Sequence, residues 1–106
     1  MVKDITVTEL KSWIDTNKDF QLIDVRDVHE LDIATIGGEN IPLNTIPQNL
    51  SKISDNKQVI VYCRSGKRSA NAIKYIQNQT GQQNLFNLKG GILAWSDEID
   101  NSIKKY

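Results

Sequence analysis

A single cysteine, Cys63, opens the run Cys63-Arg64-Ser65-Gly66-Lys67-Arg68-Ser69. Three of the five residues that follow it are cations and one is glycine. A thiolate is the nucleophilic form of cysteine, and a free thiol near neutral pH is mostly protonated. Arg64, Lys67 and Arg68 supply positive charge of the kind that lowers a neighbouring thiol's pKa. Gly66 eases a tight curl of the backbone, in which successive N–H groups converge on one anion. The same curl holds an oxyanion beside the sulfur. The combination suits attack by a thiolate on an anionic sulfur, phosphorus or arsenic centre. A lone cysteine in most chains is a small buried hydrophobe. That bland reading leaves the cluster of cations and the glycine unexplained.

The flanking residues say how this loop is held. Gln58-Val59-Ile60-Val61-Tyr62 is short and almost wholly apolar, as a buried strand is. Residues 69–79 carry helical spacing, and Gly81 is suited to stop that helix. The thiol therefore sits where a strand ends and a helix begins, with the positive end of the helix facing it. Phe20-Gln21-Leu22-Ile23-Asp24-Val25 reads as a second central strand, with the polar stretch Arg26-Asp27-Val28-His29-Glu30 beyond its end. Residues 39–41 read as a short strand after the Gly37-Gly38 turn, and 84–88 as a last strand. Thr6-Val7-Thr8-Glu9 has capping-box spacing, and Leu10, Trp13 and Ile14 then share one helical face. Pro47 to Ile53 reads as a short helix with Pro47 in its first turn. Gly90-Gly91 opens a final helix over residues 92–99. Strands alternating with helices imply an α/β fold, with a mainly parallel sheet covered on both faces. Ligands bind such sheets at the carboxyl ends of the strands. Asp24, Arg26 and Cys63 all fall at such ends.

Bulk composition narrows the classes. A chain of 106 residues is read as one domain, 1–106. The formal net charge is zero, which argues against nucleic acid as a partner. One cysteine forms no internal disulfide, and no zinc-type Cys/His set is present, so no metal and no cofactor are expected. No apolar run reaches the length of a membrane span. The expectation is a complete, cytoplasmic protein with no membrane partner.

Taken in order, several pieces resemble the rhodanese-like sulfurtransferases. They are Asp24-Val25-Arg26, Glu30, Ile36-Gly37-Gly38 leading to Ile41-Pro42, the Cys63–Ser69 loop, and Lys89-Gly90-Gly91 with Ala94-Trp95. The resemblance runs from about Ile5 to Trp95 and is similar in detail to the rhodanese domains fused to adenylating enzymes of molybdopterin and thiamine sulfur transfer. It implies a central, mainly parallel five-stranded sheet with helices on both faces. It implies Cys63 as the nucleophile that becomes a persulfide, and Arg64, Ser65, Gly66, Lys67 and Arg68 as the substrate cradle. Asp24, Arg26 and Ser69 are supporting residues. The implied donor is a small anion such as thiosulfate or a persulfide. The acceptor is cyanide, an external thiol or a protein, because the chain has no second cysteine to take the sulfur.

Two alternatives are weighed against this. Phosphatases and arsenate reductases of similar fold separate cysteine and arginine by five residues. Here four residues lie between Cys63 and Arg68, and position 69 is serine. The other is a protein-binding module without catalysis, a role in which the family usually loses the cysteine. Among the remaining residues, Asp24 reads as a strand-end cap, and Arg26 either adds to the anion field or pairs with Glu30. His29 reads as exposed, Trp13 and Trp95 as core, Ile92 and Leu93 as possible borders of the pocket, and Lys104-Lys105-Tyr106 as a polar tail without special meaning.

Overall fold

The computed structural model describes all residues, 1–106. Val59, Ile60, Val61 and Tyr62 are fully buried, so the strand that carries them needs cover on both faces and neighbours on both edges. That strand, β4, is the middle of a five-stranded, all-parallel sheet. In chain order the strands are β1 (Lys3–Ile5), β2 (Phe20–Asp24), β3 (Glu39–Asn40), β4 (Gln58–Tyr62) and β5 (Leu85–Leu88). Their order across the sheet is β1-β5-β4-β2-β3. Asp24 lies level with Tyr62, which places the ends of β2 and β4 side by side.

The helices are α1 (Val7–Asp15), α2 (Lys67–Thr80) and α3 (Gly91–Glu98). Ala72, Ile73 and Ile76 of α2 pack with Val59, Val61, Ile23 and Ile46 on one face of the sheet. Val7 and Leu10 of α1 pack with Ile92 and Trp95 of α3 on the other, against Ile60, Tyr62 and Leu88. Odd and even residues of β4 thus feed opposite cores, as the period of a strand requires. Trp13 is half-buried at the edge of the second core, edge-on to Phe20 and Phe86.

Helix ends follow the local chemistry. The Thr6 hydroxyl accepts from the Glu9 N–H at 3.1 Å while the Glu9 carboxylate accepts from the Thr6 N–H at 3.1 Å, a closed capping box. Gly81 ends α2 in the left-handed region at φ 74°. Two segments differ from the sequence reading. Lys3–Ile5 is a strand, where the sequence showed only an approach to the first helix; with three residues and one buried side chain it has no visible alternation. Residues Leu43–Gln48 and Leu50–Lys52 form two 3-10 turns, with Pro47 near the end of the first rather than at the start of an α-helix. No helix is long and apolar enough to cross a membrane.

Candidate active site

Cys63 follows β4 directly and is 1% exposed. The chain after it turns through Gly66, whose φ of 104° favours a residue without Cβ, and enters α2 at Lys67. This turn points backbone N–H groups at the sulfur. The Cys63 Sγ accepts from the Gly66 N–H at 3.1 Å and from the Ser69 N–H at 3.4 Å, and the Ser69 Oγ lies 3.4 Å away. Burial pushes the thiol up, but hydrogen bonds reaching the sulfur from Ser69, Gly66 and Ser65 outweigh it, and the net shift is downward. The main lowering influence is therefore a set of oriented hydrogen bonds rather than the cationic side chains.

Those side chains are placed differently from one another. Lys67 is exposed at the first turn of α2. Arg68 turns to Glu30 in a two-pronged pair, Nη1 to Oε1 at 2.6 Å and Nη2 to Oε2 at 2.9 Å. Glu30 is 5% exposed and lies in the turn Val28–Asp32 that follows β2. Arg68 holds its carboxyl far down, with burial opposing and the Tyr106 hydroxyl and Asp27 N–H assisting, to a pKa of about 2. Arg64 is exposed and donates through Nε and Nη2 to the main-chain oxygen of Tyr106. Its guanidinium also lies 5.2 Å from the Tyr106 ring centroid.

Arg26 is fully buried and pairs with Asp24, not with the Glu30 carboxylate. Its Nε reaches Asp24 Oδ1 at 3.0 Å and its Nη2 reaches Oδ2 at 2.8 Å. Burial pulls the Arg26 guanidinium down, but the bonds to Asp24 and Tyr106 more than offset it, so the group stays cationic. Its remaining Nη1 donates to the Tyr106 hydroxyl at 3.0 Å, and that hydroxyl donates to Glu30 Oε2 at 2.6 Å. Tyr106 thus joins Asp24–Arg26 to Glu30–Arg68, where the sequence reads only a polar tail. Nothing in a run of Lys-Lys-Tyr signals a partner 80 residues earlier. His29 is exposed.

Two further elements, β5 and α3, fix the loop from below. Asn87 of β5 donates to the Gly66 carbonyl at 3.1 Å and lies 2.5 Å from the Ser69 Oγ. The Ile92 and Leu93 N–H groups at the start of α3 donate to the Cys63 and Arg64 carbonyls at 3.0 and 3.1 Å. A Cβ on Gly91 would stand 2.5 Å from both carbonyl oxygens, so α3 approaches the loop as closely as it does because residue 91 is glycine. Ile92 and Leu93 therefore touch the loop through their backbone, and Trp95 packs in the core beneath. Asn87 carried no signal in the sequence beyond its place on a strand.

The middle strand of an all-parallel sheet thus ends in a buried cysteine cradled by N–H groups. Residues 6–98 match the family model described as Rhodanese-like domain, and the chain belongs to that family. It is 35% identical over 97 residues to a protein named Sulfurtransferase from Allochromatium vinosum, covering 91% of this chain and 90% of that one. It is 35% identical over 105 residues to the probable adenylyltransferase/sulfurtransferase MoeZ of Mycobacterium tuberculosis, covering 96% of this chain but 26% of that protein. The chain thus spans about a quarter of that relative. Among solved structures, a rhodanese-like domain protein from Staphylococcus aureus superposes with a TM-score of 0.80 at 31% identity, covering 99% of both chains.

Proposed function

We propose that this protein is a sulfurtransferase that carries sulfane sulfur on Cys63. The observation that carries the reading is the buried Cys63 sulfur held by the Gly66 and Ser69 N–H groups, which favour its thiolate. The Cys63 thiolate attacks the outer sulfur of thiosulfate. A new S–S bond forms, the old one breaks, and sulfite leaves with its electron pair. A nucleophilic acceptor then attacks the terminal sulfur of the persulfide and releases the Cys63 thiolate. The acceptor is external, since no second cysteine exists. A thiol or a carrier protein is the natural class, and cyanide serves in an assay. Exposed Arg64 and Lys67 attract the anionic donor, and Arg68, paired with Glu30, closes the cradle beside them.

Intact-mass measurement after incubation with thiosulfate tests this. Wild type is expected one sulfur atom heavier and Cys63→Ser unchanged. A wild-type mass that stays fixed with thiosulfate and with low-molecular-weight persulfides sinks the reading and favours a binding module.

A further inference from the structure

Ser69 has one hydroxyl proton and two neighbours that want it. One is Asn87 Oδ1 at 2.5 Å, the other the Cys63 sulfur at 3.4 Å. The orientation of the Asn87 amide decides which neighbour holds the proton. Its nitrogen end faces two acceptors, the Gly66 carbonyl at 3.1 Å and Asp4 Oδ1 at 3.5 Å. Turning the amide over would set oxygen against both. So Oδ1 faces Ser69, and an amide oxygen has no proton to give. The Ser69 hydroxyl must donate to Asn87. Toward Cys63 it then offers a lone pair, which receives the S–H of a neutral thiol. The three groups form a directed chain, from Cys63 S–H to Ser69 O–H to the Asn87 carbonyl.

Ionising Cys63 breaks that order. If Ser69 stays on Asn87, its lone pair faces a thiolate. If it rotates to the sulfur, a buried carbonyl on Asn87, a residue only 7% exposed, loses its donor. Either way the bare thiolate is disfavoured. A persulfide is different, because its charge lies on the outer sulfur and the inner sulfur needs no donor from Ser69.

We propose that Asn87 is a positioning residue of the sulfur-transfer site, which by holding the Ser69 proton disfavours the bare Cys63 thiolate relative to its persulfide. The inference rests on the sulfurtransferase reading for its consequence, while the state of the thiol itself is measured without any sulfur donor. The charged groups around the loop are Arg64, Lys67 and Arg68 on it, Glu30 against Arg68, the Asp24–Arg26 pair on β2, and Asp4 behind Asn87. None of them changes in the variants below.

The test is the pH dependence of iodoacetamide alkylation of Cys63, read by mass, in four proteins: wild type, Asn87→Leu, Ser69→Ala and the double variant. Asn87→Leu frees the Ser69 hydroxyl for the thiolate and is expected to move the titration down by about one pH unit. Ser69→Ala removes a lone pair that accepts from the neutral thiol and faces the thiolate, and is expected to move it down by less than about half a unit. In the Ser69→Ala background, Asn87→Leu is expected to shift nothing further. A shift that persists there, or a rise of more than about half a unit in Ser69→Ala alone, overturns the proposal. The Ser69→Ala measurement decides by itself if Asn87→Leu does not fold. At a fixed ratio of thiosulfate to sulfite and a pH above the Cys63 titration of both proteins, the loaded-to-free ratio of Asn87→Leu should fall about tenfold. Failure of wild type to load sulfur would refute the sulfurtransferase reading and leave the titration result standing.

Discussion

The thiol of Cys63 is tuned by groups that carry no net charge. A formal charge on an exposed side chain is screened by water and salt, while an N–H fixed 3.1 Å from a buried sulfur is not. Two of the three loop cations are exposed at Arg64 and Lys67, and Arg68 is occupied by Glu30. Replacing Arg64 and Lys67 by glutamine should therefore leave the alkylation titration of Cys63 within about half a pH unit of wild type. The same double variant should raise the KM for thiosulfate several-fold and leave that for an uncharged persulfide donor nearly unchanged. A titration that climbs by more than about one unit would mean that side-chain charge governs the thiolate after all. The cysteine, the glycine and the cations were legible as residue types. Their division of labour was not, because it depends on where each side chain points, and Arg68 turns away to a carboxylate 38 residues earlier.

Between the elements, the loop is held by what packs beneath it. The start of α3 binds the Cys63 and Arg64 carbonyls, and Gly91 makes room for that approach at a φ of 60°. Gly91→Ala places a methyl against two backbone oxygens in a strained conformation, at a cost of roughly 3 kcal/mol or more, with loss of sulfur uptake. Gly81→Ala is the matched comparison. It has a similar φ of 74° but open space around it, so it should cost about 1 kcal/mol in a denaturant titration and leave uptake intact. Equal effects of the two on uptake would show that α3 does not shape the loop. The paired glycines, the capping box, the central strands and the long α2 were all readable, since each depends on residues within a few positions. β1 was not readable. Three residues give no period, and the strand exists because β5, some 80 residues later, offers an edge to pair with. The sequence reads one short helix over 47–53 where two 3-10 turns lie at 43–48 and 50–52, for a related reason: apolar spacing there does not distinguish tight turns from α-helical ones.

At the scale of the whole molecule, residues far apart in the chain meet beside the loop. Tyr106 accepts from Arg26, donates to Glu30 and holds Arg64 through its main-chain oxygen. The contacts span 76 and 80 positions, and only the folded chain reveals them. Glu30 is the centre of this network, and its low pKa makes the network sensitive to acid. The carboxyl falls from an ordinary 4.5 to about 2 on folding, so the unfolded chain takes up a proton at higher pH than the folded one. The stabilisation is present in full above pH 4.5 and is lost as the pH falls toward 2. Its upper limit is about 3 kcal/mol, reduced because Arg68 is one-third exposed and partly screened. Glu30→Gln should lower stability at pH 7 by up to that amount and flatten the dependence of stability on pH between 4.5 and 2. Tyr106→Phe keeps the ring and removes both hydroxyl bonds. It should cost about 1–2 kcal/mol at neutral pH and move the acid transition upward, because Glu30 then loses one of its donors. Urea titrations from pH 2 to 7 measure both. If Glu30→Gln retains the wild-type slope, the acid dependence belongs to other carboxylates. If Tyr106→Phe matches wild type throughout, the tyrosine lies on this network without contributing to it.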